Sequence, residues 1–137
     1  MLEKLERIKK NTGWWSPEKR QKVINISHLL SDEEMKELIR ETGMGVESID
    51  FSISDNLDHL EETIQIYRKK IKYIWESALT LHGPFLDLNP AAFDSLIREV
   101  TMTRFAQCYQ AGKELGARKI IYHSGMIPCV YSGKMGR

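Results

Sequence analysis

Apolar runs of strand length alternate along this chain with amphipathic segments of helix length. The strand-like runs occupy residues 22–27 (KVINIS), 46–53 (VESIDFSI), 78–82 (ALTLH) and 118–124 (RKIIYHS). Between them, apolar residues recur at helical spacing over residues 31–43, 57–75 and 95–115. Two parallel strands need a connection of a dozen or more residues, which is usually a helix. The pattern therefore predicts four parallel strands alternating with three helices.

Residues that commonly end helices support these boundaries. Ser31 and Glu34 have the spacing of a capping box, and Gly43 and Gly116 stand where the first and third helices should stop. Residues 89–90 (NP) predict either the start of the third helix or a short turn before it. The apolar side of the first helix is predicted at Met35, Leu38 and Ile39, and that of the second at Leu60, Ile64, Ile71 and Trp75. In the third helix, helical spacing is kept by Leu96, Ile97, Val100, Phe105, Cys108 and Leu115.

Two architectures use repeated strand-helix units, the open doubly wound sheet and the closed eight-stranded barrel. A dinucleotide-binding sheet normally carries GxGxxG after its first strand, whereas NISHLLSDEE at residues 25–34 has no glycine. We therefore predict part of a (β/α)8 TIM barrel, an α/β fold. In such barrels the active site lies at the carboxyl ends of the strands, so residues at those ends are the candidates for function.

Composition and charge narrow the class of protein. The 137 residues are 42% hydrophobic and 28% charged, which fits one soluble domain, and the net charge of +1 gives no global field for nucleic acid or anionic membrane. No run of about eighteen apolar residues occurs, and MLEKLERIKK lacks the apolar region of a secretory signal. We expect a cytoplasmic protein with no membrane partner. Cys108 and Cys129 lack CxxC spacing, so we expect two reduced thiols.

Two histidines stand at the ends of the third and fourth predicted strands. His82 is followed by Gly83 and His123 by residues 124–125 (SG). Parallel neighbours lie about 4.8 Å apart, so imidazoles at equivalent heights would converge on one metal ion, or on a substrate oxyanion or hydroxyl. Each histidine alone is equally well a polar strand terminus. Asp87, in the loop after His82, would orient an imidazole, contact substrate, or serve only as a turn residue.

Other polar residues flank the first two strands. Glu47 and Asp50 accompany the second strand, and Asp50 alternates toward the side of Ser48, which would bring it into the barrel mouth. An exposed polar strand face is the alternative. His28 follows the first strand and would either line the same mouth or belong to the start of the next helix.

These residues carry a family resemblance. HGPF at residues 82–85 and HSG at 123–125 resemble the strand endings of the sugar phosphate isomerase/epimerase family, which belongs to the xylose isomerase-like TIM barrels together with endonuclease IV-type apurinic endonucleases. The resemblance covers residues 22–131, the amino-terminal half of such a barrel. In endonuclease-like members it implies that His82 and His123 are zinc ligands. In isomerase-like members one divalent ion (Mn, Zn or Mg) is held by residues of later strands, and these histidines would face substrate.

The resemblance implies a metal-dependent isomerase or epimerase that acts on a sugar or sugar phosphate by proton transfer next to a carbonyl. An apurinic-site phosphodiesterase is the alternative, but residues 82–94 and 123–131 contain no Arg or Lys for DNA. A non-catalytic half-barrel is the third reading. We expect no nucleic-acid partner.

The predicted organisation has three parts. Residues 1–21, with more basic than acidic side chains and the adjacent Trp14 and Trp15, form an amino-terminal extension; residues 22–131 form the half-barrel; and residues 132–137 form a short tail. A full barrel needs eight strands, so we expect this fragment to be truncated and inactive alone. Its first and fourth strands would be open edges that favour self-association.

Overall fold

The protein is an α/β structure in the computed structural model, which describes residues 15–70 and 78–125. The elements are, in chain order, α1 Pro17–Val23, β1 Asn25–Ser27, α2 Asp32–Thr42, β2 Gly45–Ser48, a 3₁₀ turn Asp50–Ser52, α3 Ser54–Asp58, α4 Leu60–Lys70, β3 Leu79–His82, α5 Ser95–Leu115 and β4 Lys119–Ile121. The described strands form one sheet in the order β1-β2-β3-β4, and every neighbouring pair is parallel. The predicted alternation of parallel strands with helices is confirmed.

The helix ends follow the local signals in the sequence. The Ser31 hydroxyl accepts a hydrogen bond from the Glu34 amide while the Glu34 carboxylate accepts one from the Ser31 amide, which completes the predicted capping box. Gly43 and Gly116 both adopt the left-handed conformation that ends a helix. Asp94, rather than Asn89, caps α5.

Three strands are shorter than the sequence pattern predicts. The strand predicted over residues 22–27 begins only at Asn25, because α1 continues to Val23. The strand predicted over 46–53 ends at Ser48, because the following 3₁₀ turn buries Phe51 in the core. The strand predicted over 118–124 ends at Ile121. An apolar run thus marks where a strand lies without fixing where pairing stops.

The predicted second helix is divided. Helices α3 and α4 are separated at His59, whose backbone leaves the helical region. Residues 71–77, which include the expected core positions Ile71 and Trp75, lie outside the described residues. Residues 1–14 and 126–137, which hold most of the predicted extension and all of the tail, also lie outside them. Among the described helices, none is both long and apolar enough to cross a membrane.

The two faces of the sheet differ in chemistry. One face, which we call the helix face, carries apolar side chains that pack against the helices. Its core cluster includes Val46, Leu79 and Leu81 from the strands, Met35, Ile64 and Tyr67 from α2 and α4, and Cys108, Ala111 and Leu115 from α5. The other face, which we call the open face, carries Asn25, Glu47, Thr80, His82, Lys119 and Ile121, as the strand register and side-chain alternation require.

The apolar residues at the start of α5 are largely exposed. Leu96, Ile97 and Val100 keep helical spacing, yet 68%, 43% and 52% of their surface is exposed. The core cluster includes α5 only from Cys108 onward. Helical spacing identified the apolar side of the helix but not how much of its length packs against the core.

Candidate functional site

His82 is the last residue of β3 and points from the open face. Its side chain is half-buried, and its Nδ1 lies 2.9 Å from the carbonyl oxygen of Gly83. A carbonyl oxygen only accepts hydrogen bonds, so this contact requires the proton on Nδ1. The lone pair of a neutral His82 is therefore on Nε2, which faces away from its own backbone.

His123 does not stand at the height that the sequence predicts. The register pairs His82 with Ile121, so His123 lies two residues, or about 6.6 Å of strand, beyond its expected partner. The two imidazoles nevertheless meet: their Nε2 atoms are 3.4 Å apart and their ring centroids 5.2 Å apart. The two histidines therefore lie together, because the loop after β4 brings His123 back to His82. The expectation that they occupy equivalent positions along paired strands was wrong.

Phe85 forms an aromatic wall against both histidines. Its ring stacks on His123, with centroids 4.6 Å apart and planes inclined by 16°. It meets His82 edge-on at 5.1 Å. The ring thus packs against the face of His123 and against His82 at the same time. Phe85 was not among the predicted site residues, although it belongs to the HGPF motif and follows His82 by only three residues.

Gly83 and Tyr122 interlock the two strand ends. A Cβ atom at position 83 would lie on the Tyr122 ring, so the ring occupies the space that any larger residue would need. The Tyr122 hydroxyl donates a 2.9 Å hydrogen bond to the carbonyl oxygen of Phe105 in α5. Because Gly83 follows His82 and Tyr122 precedes His123, this contact lies directly beside the histidine pair.

Beneath this contact lies the buried thiol of Cys108. It is fully buried and unpaired, and burial raises its pKa to about 11. Burial also raises the pKa of Tyr122, and the neighbouring Cys108 adds to the shift. Both groups therefore stay neutral near pH 7 and act as packing beneath the site.

The two Nε2 atoms are within hydrogen-bonding distance, with His123 as the donor when the His82 proton is on Nδ1, and their 3.4 Å spacing also matches that of two ligands of a metal ion. Two nitrogens bound to zinc at 2.0–2.1 Å with a tetrahedral angle between them lie about 3.4 Å apart. A histidine ligand usually donates its other N–H to a carbonyl or carboxylate, as His82 does to Gly83. Within residues 15–70 and 78–125, no group of three or more His, Cys, Asp or Glu is placed to hold an ion. The described residues thus offer two of the four ligands of a tetrahedral site.

Asp87 lies in the turn after Phe85. Its backbone has a φ of 59°, and its side chain is exposed. Asp87 does not orient His82 through Nδ1, because that atom donates its hydrogen bond to the carbonyl oxygen of Gly83. The structure thus supports the role as a turn residue, and a contact from Asp87 to substrate stays a prediction.

The other polar residues predicted near the site, His28, Asp50 and Glu47, lie in three different places. His28 lies 3.2 Å from Asp32 in α2, with 7% of its side chain exposed, so it belongs to the start of that helix. Asp50 pairs with Lys70 of α4 at 3.7 Å and does not enter the mouth as predicted, because the chain leaves the strand at Ser48. Glu47 remains on the open face, where it lines a cavity of about 210 Å³.

Comparisons with known proteins support the fold only. No protein-family model matches the sequence. The chain is 31% identical over 78 residues to the uncharacterised protein MJ1311 of Methanocaldococcus jannaschii, covering 53% of this chain and 27% of that protein. Its fold is similar to the TTHB071 protein of Thermus thermophilus, solved after soaking with ZnCl2, with a TM-score of 0.58, 22% identity, and coverage of 76% of this chain and 39% of that one. The chain therefore spans less than half the length of either protein, and it shares an α/β fold with the Thermus protein.

Proposed function

We propose that this chain forms the first half of a (β/α)8 barrel in which His82 and His123 help to hold a divalent metal ion. The observation that carries the proposal is the 3.4 Å separation of the two Nε2 atoms, together with the hydrogen bond that fixes the proton of His82 on Nδ1. The difference between the two faces of the sheet is consistent with a barrel, because helices cover one face while the open face is polar. Zinc is the ion to test first, since the Thermus protein of similar fold was soaked with ZnCl2.

For the whole protein we propose isomerisation or epimerisation of a sugar or sugar phosphate, by proton transfer next to a carbonyl. A bound divalent ion would polarise the carbonyl oxygen and stabilise the charge that develops on it. The residues of this chain would bind and orient: His82 presents a fixed lone pair, and Phe85 packs against both imidazoles. Within residues 15–70 and 78–125, no carboxylate joins the two histidines in a group of three or more possible ligands, so we expect no turnover by this chain alone.

The phosphodiesterase alternative is less well supported. The loops at residues 83–94 and 122–125 border the histidine pair and contain no Arg or Lys. Binding to DNA depends on such side chains to neutralise phosphates. A small neutral or singly phosphorylated ligand makes no comparable demand on charge.

Titration of the chain with Zn²⁺, followed by imidazole nitrogen NMR, tests the metal site. We expect the Nε2 signals of His82 and His123 to shift together and saturate, while Nδ1 of His82 keeps its proton. His59 provides the internal control, because it is exposed and its Nδ1 contacts the Asp55 carbonyl in α3. His82→Ala and His123→Ala should each weaken Zn²⁺ binding by at least tenfold, whereas His59→Ala should not.

Two results would count against the proposal. Unchanged His82 and His123 signals at saturating Zn²⁺ would remove the metal site. If Zn²⁺ binds, adding fructose 6-phosphate or a duplex with an abasic site separates the reaction classes. A shift of the zinc-bound imidazole signals with the sugar phosphate alone supports the isomerase, and a shift with the duplex alone supports the phosphodiesterase.

A further inference from the structure

One loop supports the segment after β4 at two points. This loop, residues 83–94, joins β3 to α5, and we call it the β3–α5 loop. Strand pairing ends two residues before His123, whose ring stacks on Phe85 of the loop. Two residues further on, Gly125 lies against Asn89 of the same loop, and a Cβ atom at position 125 would overlap the Asn89 side chain. The β3–α5 loop therefore contacts residues 123–125 at both ends.

Two turns connect these contacts within the loop. The Leu88 amide donates a 3.2 Å hydrogen bond to the carbonyl oxygen of Phe85, and Asp87 takes the left-handed conformation that aspartate tolerates in turns. Asn89 follows at once, and its side-chain oxygen accepts a 2.9 Å hydrogen bond from the Ala91 amide. Because these bonds join near neighbours, we expect Phe85 and Asn89 to move together.

A buried hydroxyl fastens the β3–α5 loop to α5. The Thr101 hydroxyl accepts a 3.0 Å hydrogen bond from the Asn89 backbone amide and donates a 2.7 Å one to the Ile97 carbonyl oxygen. Thr101 is fully buried, so a residue without a hydroxyl would deprive the Asn89 amide of this acceptor in a place that water reaches poorly. The loop is thus held by the helix as well as by its own turns.

We propose that Thr101 and Asn89 are positioning residues that set where His123 lies. His82 is placed by its own strand and by its bond to Gly83, whereas His123 lies beyond the strand and rests on the β3–α5 loop. The hydrogen bond between Thr101 and Asn89 keeps that loop in place against α5. Ligands of a metal site must be held within about 0.5 Å of their working geometry, so this bond also sets the affinity for metal. The last step rests on the proposed metal site, whereas the placement of His123 does not.

Removing the Thr101 hydroxyl in the full chain tests the placement of His123. Thr101→Val keeps the shape of the side chain but not its hydroxyl, and Thr101→Ser keeps the hydroxyl. Thr103→Val is the matched control, because the Thr103 hydroxyl makes the same bond to the carbonyl four positions earlier but is exposed. Stacking on Phe85 should move the ring-proton NMR signals of His123 upfield. We expect Thr101→Val to lose most of that shift, and Thr101→Ser and Thr103→Val to keep it.

Zn²⁺ titration of the same variants measures the consequence for the metal site. Thr101→Val should raise the Zn²⁺ Kd about fivefold, which corresponds to about 1 kcal/mol, the usual net contribution of one hydrogen bond. Thr101→Ser and Thr103→Val should stay within about twofold of the original Kd. Both measurements are made on fully folded protein, so a variant that only lowers stability would change neither the His123 signals nor the Kd.

Gly125→Ala tests the other side of the contact. Alanine at a φ of 81° is strained and its Cβ would overlap Asn89, while the change lies outside the core cluster. His123 should again lose its upfield shift, which keeps the test possible if Thr101→Val folds poorly. The proposal is overturned if the original chain lacks that shift, if Thr101→Val or Gly125→Ala keeps it, or if Thr101→Ser loses it. If Thr101→Val moves the His123 signals while Zn²⁺ shifts no imidazole signal of the original chain, the metal site fails and the positioning role stands.

Discussion

Replacing Gly83 by alanine tests how the two histidines are held together. The new Cβ would fall on the Tyr122 ring, 2.6 Å from its Cε1 atom, and 3.1 Å from the carbonyl oxygen of Ile121. Carbon atoms in contact are normally about 3.5–4.0 Å apart, so the ring must move by about 1 Å. Gly83 does not have a positive φ, so the cost is one of space and not of backbone conformation.

The expected loss of stability follows from this geometry. Forcing an extra methyl into a packed site costs about 1–3 kcal/mol, and the hydrogen bond from Tyr122 to Phe105 contributes about 1 kcal/mol more if it is lost. We therefore expect the free energy of unfolding to fall by about 2–4 kcal/mol. At about 4 °C for each kcal/mol, Tm falls by about 8 °C or more. Because Tyr122 precedes His123, the same movement should separate the imidazoles and weaken Zn²⁺ binding.

Urea unfolding of four chains measures the effect: the original, Gly83→Ala, Tyr122→Ala and the double variant. If the added methyl clashes with the Tyr122 ring, alanine at 83 costs little once that ring is gone, and the double-mutant cycle shows a coupling of at least about 1 kcal/mol. Gly112→Ala is the control, because its Cβ would meet only aliphatic side-chain atoms, Ile120 Cδ1 at 2.7 Å, Ile120 Cγ1 at 3.2 Å and Leu81 Cδ1 at 3.4 Å, and alanine favours the helix. Additive losses, or a Gly83→Ala chain as stable as the original, would refute the interlock.

Two further predictions concern pH. Burial raises the pKa of Cys108 to about 11, whereas an unfolded thiol titrates near about 8.5. Its contribution to stability is therefore complete below about pH 8.5 and is lost as the pH rises toward 11. In a Cys129→Ser background, urea unfolding at a series of pH values should show this decline, and Cys108→Ala should flatten it; equal slopes would contradict the burial. Asp58 accepts a 2.6 Å hydrogen bond from Arg104, which lowers its pKa, so its contribution is present at neutral pH and lost as the pH falls. Arg104→Ala should raise the Asp58 pKa toward its ordinary value in an NMR titration, and an unchanged pKa would show that the ion pair does not form in solution.

The sequence predicted the helix ends well, because they depend on residues a few positions apart. The capping box of α2 and the left-handed Gly43 and Gly116 each rest on contacts within a few positions. Helix α5 was predicted over residues 95–115, and it spans Ser95–Leu115. The alternation of strands and helices required parallel pairing, because each connection was long enough to cross the sheet.

The sequence also placed two histidines at one end of neighbouring strands, but it did not give their geometry. The strand β4 ends at Ile121, two residues before His123, because pairing with β3 stops there. Phe85 joins the site only through the fold of the loop after β3. Likewise, helical spacing could not show that most of the Leu96 surface is exposed.

By itself, then, the sequence determined the order of the elements, their parallel pairing and the end of the sheet at which the histidines gather. Only the tertiary structure decided that the Nε2 atoms of His82 and His123 approach to 3.4 Å. Beside that pair, Gly83 packs against Tyr122, two residues that follow different strands. Local signals act over a few residues and specify helices and turns. The spacing of a site depends on side chains far apart in the chain, whose contacts exist only after the strands have paired and the helices have packed.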